Sequence, residues 1–214
     1  MIQLYHCVDT RSFRALWALE EMGLPYELTV MPFPPRARYP GYKDINALGT
    51  VPALLDSGVL MTESAGIVEY LVTRYGPSPL AVEVSDPAYA EWLNWVHRSD
   101  ATLTFPQTLV LRYRRFEPGR AEVVADDYAK WFLARLRSVD EAIRDTDWLC
   151  AGRFTAADIC VGYALLLAEH LGFAPSFAPQ TAAYWTRLKQ RPAFQSAAAI
   201  QRQQAPEGSK EFAS

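Results

Sequence analysis

A few short stretches hold residue types from which a site could be built. Cys7, Thr10 and Ser12 fall where an apolar, strand-like run gives way to a helical one. Orphan N–H groups and the dipole make a helix N-terminus favour negative charge, so a thiol there can be acidic and a hydroxyl there can donate to an anion. Glu63 and Ser64 stand at the start of another helical pattern. An acid just before a helix can hold an ammonium, and a serine at its N-terminus, with the backbone N–H groups, can hold a carboxylate. Val51-Pro52 opens a strand-like run; an X–Pro bond can be cis at low cost, and a cis bond turns the chain sharply. Arg36, Arg38 and Lys43 lie in the loop before Asn46 and could meet a carboxylate or simply be solvated. Each stretch also has a plain reading: Thr10 and Ser64 as helix caps, Pro52 as a strand-edge proline.

The totals narrow the class of protein. Of 214 residues, 50% are hydrophobic and 21% charged, with a net charge of -3. That is ordinary for a globular protein and supplies no basic field for nucleic acid or anionic lipid. The three cysteines, Cys7, Cys150 and Cys160, are far apart and include no Cys-x-x-Cys pair. His6, His97 and His170 are scattered, so no metal site is expected. The chain opens into Ile2-Gln3-Leu4-Tyr5 without a signal-like segment, and its longest apolar run, Cys160 to Ala168, is too short to span a bilayer. A reducing, cytoplasmic setting without membrane or nucleic-acid partners is expected.

Elements that could position these residues follow from periodicity. Residues 2–7 read as a strand and Thr10 to Met22 as a helix buried on two sides, stopped by Gly23. Residues 26–31 alternate as a strand, 32–50 form a long loop with one helical turn, and Val51–Leu55 and Val59–Met61 form a hairpin around Asp56-Ser57-Gly58. A helix starts near Ser64 and ends at Gly76-Pro77. Asp86-Pro87 suggests an N-cap and first helical residue, and the pattern is helical from there on. Pro106 should kink it. Thr155 and Asp158 have capping-box spacing before the apolar run Ile159–Leu167. Two shorter helices are expected near 181–190 and 193–203. The expected division is a domain over 1–76, a linker over 77–85, a helical domain over 86–204 and a disordered tail over 205–214.

Four segments, in order, resemble the cytosolic glutathione transferase family, bacterial and theta-like or of unassigned class. They are Leu4-Tyr5 with Thr10-Arg11-Ser12-Phe13-Arg14 and Ala18 to Tyr26; Asn46 to Leu54; Thr62 to Leu71; and Thr155 to Ile159. The resemblance implies an α/β thioredoxin-like N-terminal domain (βαβ-ββα) and an all-α C-terminal domain. It implies a cis Pro52 whose neighbour, Val51, pairs through its backbone with the cysteinyl part of glutathione. It also implies that Glu63 and Ser64 hold the γ-glutamyl ammonium and carboxylate, and that one of Arg36, Arg38 and Lys43 could meet the glycine carboxylate. Glutathione is then a co-substrate, with no metal.

The implied reaction is attack of the glutathione thiolate on a small hydrophobic electrophile, or a related reaction such as reductive dehalogenation or ether cleavage. Thr10 stands where the family has serine, and Ser12 lies two residues on; either hydroxyl could hydrogen-bond to the sulfur. Tyr5 stands where other classes have a tyrosine, but packing in the strand suits it better here. Trp92, Trp95, Phe105 and Tyr113 are candidates for an electrophile pocket between the domains, although aromatics at helical spacing usually form core. The family also implies a homodimer through the helices after Ser64 and Asp86. Two alternatives stand beside the transferase: a thiol-disulfide transferase using Cys7, and a non-catalytic member binding glutathione, a hydrophobic ligand or a protein partner.

Overall fold

The structure is a computed structural model that describes residues 1–207 and 209. Of the described residues, the first compact unit takes in 1–81 and those from Lys189 on; the second takes in 82–188. In the first unit the strands are β1 (Ile2–His6), β2 (Tyr26–Val30), β3 (Ala53–Asp56) and β4 (Val59–Met61), ordered β2-β1-β3-β4. β1 runs parallel to β2, with Leu4 beside Leu28, and antiparallel to β3, with Leu4 opposite Leu54. Hydrophobic alternation sets this register, because a one-residue slip would turn Leu4 out of the core. The β3–β4 hairpin turns on Ser57 (φ 51°) and Gly58 (φ 82°), the positive pair that two-residue hairpins demand. This is the expected βαβ-ββα arrangement.

Helix α1 (Phe13–Met22) buries every residue from Phe13 to Leu19, Arg14 included. It begins at Phe13 and not at Thr10. Residues 8–12 form turns, with the Thr10 N–H on the Cys7 carbonyl (3.3 Å) and the Phe13 N–H on the Thr10 carbonyl (2.8 Å). Gly23, at φ 60°, ends the helix as expected. The loop over 32–50 holds two short helices rather than one, α2 (Pro35–Arg38) and α3 (Tyr42–Ile45). Helix α4 (Ser64–Arg74) packs on α1.

In the second unit, α5 (Tyr89–Arg98) passes through a π-helical stretch, 99–104, into α6 (Phe105–Leu111). Pro106 lies in the first turn of α6, where its missing N–H is harmless, so the wider turn before it takes the place of the expected kink. Asp86 is not a helix cap: its carboxylate accepts the Ala88 N–H, and α5 starts at Tyr89, two residues after the expected Pro87. After α7 (Glu122–Ala142) comes α8 (Ala156–His170), buried all round from Ala156 to Ala168. Trp92 and Trp95 lie in this unit's core, whereas Phe105 is half exposed. Helix α9 (Pro179–Lys189) follows.

The last helix, α10 (Pro192–Gln203), was expected in the helical domain, but its contacts place it in the first unit, against α1. Phe194 meets Phe13 and Trp17 edge-on, at 5.2 and 5.0 Å. The Arg191 guanidinium forks onto the Glu21 carboxylate at 2.6 and 2.7 Å. Beyond it, Ser209 donates its N–H to Pro206. Residues 208 and 210–214 of the expected disordered tail lie outside the described residues. No helix among the described residues is long and apolar enough to cross a membrane.

The capping box of α8 forms as its spacing implies. Thr155 Oγ1 accepts the Ala157 N–H, and Asp158 accepts the Thr155 N–H at 2.8 Å. Asp158 also accepts the Leu149 N–H (3.1 Å) and the Tyr184 hydroxyl (2.8 Å). Burial nevertheless pushes its carboxyl up to about 6, against the pull of these bonds. Thr155→Ala is expected to lower unfolding stability by about 1 kcal/mol. Asp158→Ala should cost about 3 kcal/mol, since buried donors on Thr155, Leu149 and Tyr184 lose their acceptor; denaturant melts measure both. A folded-state pKa above the unfolded value means the native protein binds this proton more tightly. Acidification from pH 6 towards 4 should therefore stabilise the wild type relative to Asp158→Asn.

Candidate functional site

Two of the polar side chains predicted from sequence, Thr10 and Ser12, meet in the turn that leaves β1. Thr10 Oγ1 lies 2.8 Å from the Cys7 carbonyl oxygen and 2.8 Å from Ser12 Oγ. It bonds backwards, so Thr10 is not a helix cap. Ser12 Oγ sits 2.7 Å from His6 Nδ1 and accepts the Cys7 N–H at 3.3 Å. Thr10 is 4% exposed and Ser12 fully buried.

His6 and Gln201 are the members of this cluster that the sequence did not mark. His6 Nε2 lies 3.0 Å from Gln201 Oε1. The same oxygen accepts the Asp9 N–H at 3.0 Å, and Gln201 Nε2 donates to the Asp9 carboxylate at 2.6 Å. Asp9 holds a left-handed backbone, φ 53°, which short polar residues tolerate best after glycine. His6 and Gln201 are both fully buried. Desolvation lowers the His6 imidazole to about 4, with the Gln201 contact opposing it, so the ring is neutral at physiological pH.

Arg14 and Ser64 join α1 to α4. The buried Arg14 guanidinium donates to Ser64 Oγ at 2.8 Å. Ser64 is the first residue of α4, preceded by an extended, exposed Glu63 (φ -88°, ψ 113°), and no side chain caps the helix. The Ser64 oxygen thus receives a cationic donor while its own proton stays available beside the helix N-terminus. This geometry can hold a carboxylate. In the sequence Arg14 stood out only as one residue of a segment that carries the resemblance.

The Val51–Pro52 peptide is cis. The loop before it is held by Thr50, whose carbonyl accepts from the Tyr42 hydroxyl (2.6 Å) and Asn46 Nδ2 (2.8 Å). Gly49, at φ 62°, lies where a Cβ would fall 2.6 Å from Arg36 Cβ, so only glycine fits. Val51 packs on an apolar cluster of Cys7, Met31, Tyr42 and Ala53 that also takes in Tyr5. Tyr5 tilts against Tyr42 with ring centroids 6.0 Å apart, which makes it a packing residue. Arg36, Arg38 and Lys43 are exposed. The Cys7 thiol is fully buried, and burial pushes it up to about 12. It is therefore neither accessible nor ionised at neutral pH. Among the described residues no cluster of His, Cys, Asp or Glu could hold a metal ion.

Residues 10–74 match the profile described as "Glutathione S-transferase, N-terminal domain". The chain is 31% identical over 173 residues to Glutathione S-transferase 3 of Schizosaccharomyces pombe, covering 74% of this chain and 70% of that protein. Its fold matches the crystal structure of a glutathione transferase from Methylococcus capsulatus, with TM-score 0.85, 24% identity and coverage of 95% and 100%. It also matches a sphingomonad glutathione S-transferase complexed with glutathione, with TM-score 0.82, 23% identity and coverage of 94% and 98%. At these identities the two structures bear on the fold alone.

Cys7 is expected to resist a disulfide reagent at pH 7 in the native protein while reacting at once after denaturation, with peptide mass analysis locating the label. Immediate, stoichiometric labelling of native Cys7 would restore the thiol-disulfide reading.

Proposed function

The chain belongs to the glutathione S-transferase family, and from that premise we propose that it binds glutathione at the turn after β1 and activates the thiol for attack on a small hydrophobic electrophile. One juxtaposition carries the reading. The Arg14–Ser64 bond, and the packing of Val51 on the cluster that holds Cys7, bring three features to one end of the sheet. These are the Thr10 hydroxyl, the Val51–Pro52 peptide and the start of α4.

Each feature has a task. Glu63 meets the γ-glutamyl ammonium. Ser64, the backbone N–H groups of α4 and the charge of Arg14 meet the γ-glutamyl carboxylate. The Val51 backbone pairs with the cysteinyl segment as an added strand. Thr10 donates its hydroxyl proton to the sulfur. A free cysteine thiol has a pKa of about 8.5 and is mostly protonated at neutral pH, and each unit of depression corresponds to about 1.4 kcal/mol. A hydrogen bond to a charged group contributes about 1.5–3 kcal/mol, so a single hydroxyl can supply one to two units. The thiol proton leaves to solvent, the sulfur lone pair forms the bond to the electrophilic carbon, and any displaced group departs with its electron pair. Ser12 supports Thr10 and does not touch the sulfur. The protein acts as a cytoplasmic homodimer, an isologous pair being the commonest assembly, in detoxification of such electrophiles.

Ultraviolet absorbance of the thiolate in the glutathione complex, followed against pH, tests the role of Thr10. The wild type should show a depressed thiol pKa, and Thr10→Ala should return it towards the free value and lower kcat about tenfold to a hundredfold. Thr10→Ser should retain most activity. An unshifted thiol in both proteins would leave a binding role as the better account. Ser64→Ala should weaken glutathione binding by about tenfold, read by calorimetry, with the bound thiol pKa unchanged.

A further inference from the structure

The hydroxyl array behind Thr10 has a fixed polarity, and its origin lies on the last helix. A backbone N–H only donates. Because Gln201 Nε2 donates to Asp9 and Gln201 Oε1 accepts the Asp9 N–H, the amide has one orientation. Its oxygen therefore faces His6 Nε2 at 3.0 Å, and that nitrogen must carry the proton. The ring is neutral, so Nδ1 is bare and takes the Ser12 proton across 2.7 Å. Ser12 has no second proton. The Thr10 proton, with the Cys7 carbonyl and Ser12 Oγ as acceptors at 2.8 Å each, is the one left free to turn.

We propose that Gln201 is a positioning residue for thiol activation: by fixing the Nε2–H tautomer of His6 it withdraws the Ser12 proton and leaves Thr10 as the sole donor to the bound sulfur. Gln201 also clamps Asp9, the residue before Thr10, through main chain and carboxylate together. The Arg202 guanidinium, 3.4 Å from the other Asp9 oxygen, adds to the clamp. Removing the Gln201 amide frees His6 to carry its proton on Nδ1. Ser12 then accepts from the ring and turns its own proton towards the Cys7 carbonyl or Thr10, and the Asp9 clamp opens. Both changes leave Thr10 less well aimed. This inference rests on the reading of Thr10 as the activating hydroxyl.

Nitrogen NMR of the His6 ring, with the bound-thiol titration and steady-state kinetics, tests it on the full chain. The wild type should show Nε2 protonated and Nδ1 bare. The near-isosteric Gln201→Met should give a mixture of tautomers, a bound thiol pKa raised towards the free value and kcat lowered about fivefold to tenfold, with KM for glutathione within twofold. His6→Ala, which removes the acceptor of Ser12, should behave similarly. His6→Asn, whose amide oxygen can stand where Nδ1 stood, should recover much of the loss. A wild-type ring protonated on Nδ1 overturns the proposal. So does Gln201→Met, or His6→Ala should that variant alone fold, with thiol pKa and kcat within twofold of wild type. Failure of the underlying reading looks different: Thr10→Ala would then leave the bound thiol unchanged whatever Gln201 does.

Discussion

The first unit depends on burying a polar turn without stranding its groups. His6, Asp9, Thr10 and Ser12 are each less than a twentieth exposed, and a buried polar group without a partner costs about 1–3 kcal/mol. The turn satisfies part of this itself, through the Cys7 carbonyl and the two hydroxyls. It leaves His6 Nε2 and the Asp9 N–H to a partner from elsewhere in the chain. Gln201 meets both, which requires α10 to come back to α1. The Arg191–Glu21 fork and the edge-on contacts of Phe194 hold the helix in that place. A domain read as a continuous stretch from the N-terminus therefore closes only with residues from the far end of the chain.

The same burial selects which group can do chemistry. Desolvation penalises charge, so it raises the Cys7 thiol and lowers the His6 imidazole until both are neutral at physiological pH. A hydroxyl is neutral anyway. It can be enclosed at modest cost if bonded, and it can still present a proton to an anion. The enclosure that disables Cys7 as a nucleophile leaves Thr10 usable as a donor.

Most of the fold could be read from the sequence, because its signals are local. Period-2 alternation placed the strands, Gly23 ended α1, and Thr155 with Asp158 marked the start of α8. Boundaries slipped where two local rules compete. Thr10 looks like a helix cap, but two more turn residues, Arg11 and Ser12, intervene before the helix starts at Phe13. Asp86 has the residue type of a cap yet serves an Asx turn. The candidates Glu63, Ser64, Val51 and Pro52 were legible as types at suitable spacing. Arg14 was given no role beyond membership of a resembling segment, since nothing local says that a helical arginine will reach a serine 50 positions on. His6 and Gln201 left no trace: they are 195 positions apart, and a lone histidine in a strand or glutamine in a helix looks like neither ligand nor core.

Threonine in place of the resembled serine at position 10 then acquires a physical sense. A serine side chain can reach several rotamers with little hindrance, whereas the extra methyl of threonine restricts χ1. Here Oγ1 stands 2.8 Å from each of two fixed acceptors. With the oxygen held, the proposed turn of the bond from the interior to a bound sulfur would require rotation of the proton and little movement of heavy atoms. A donor that is already in place when charge develops needs little reorganisation, which is the condition under which hydrogen bonds stabilise an anion most effectively. The methyl group of threonine thus suits a turn in which the Cys7 carbonyl and the Ser12 hydroxyl already hold its oxygen.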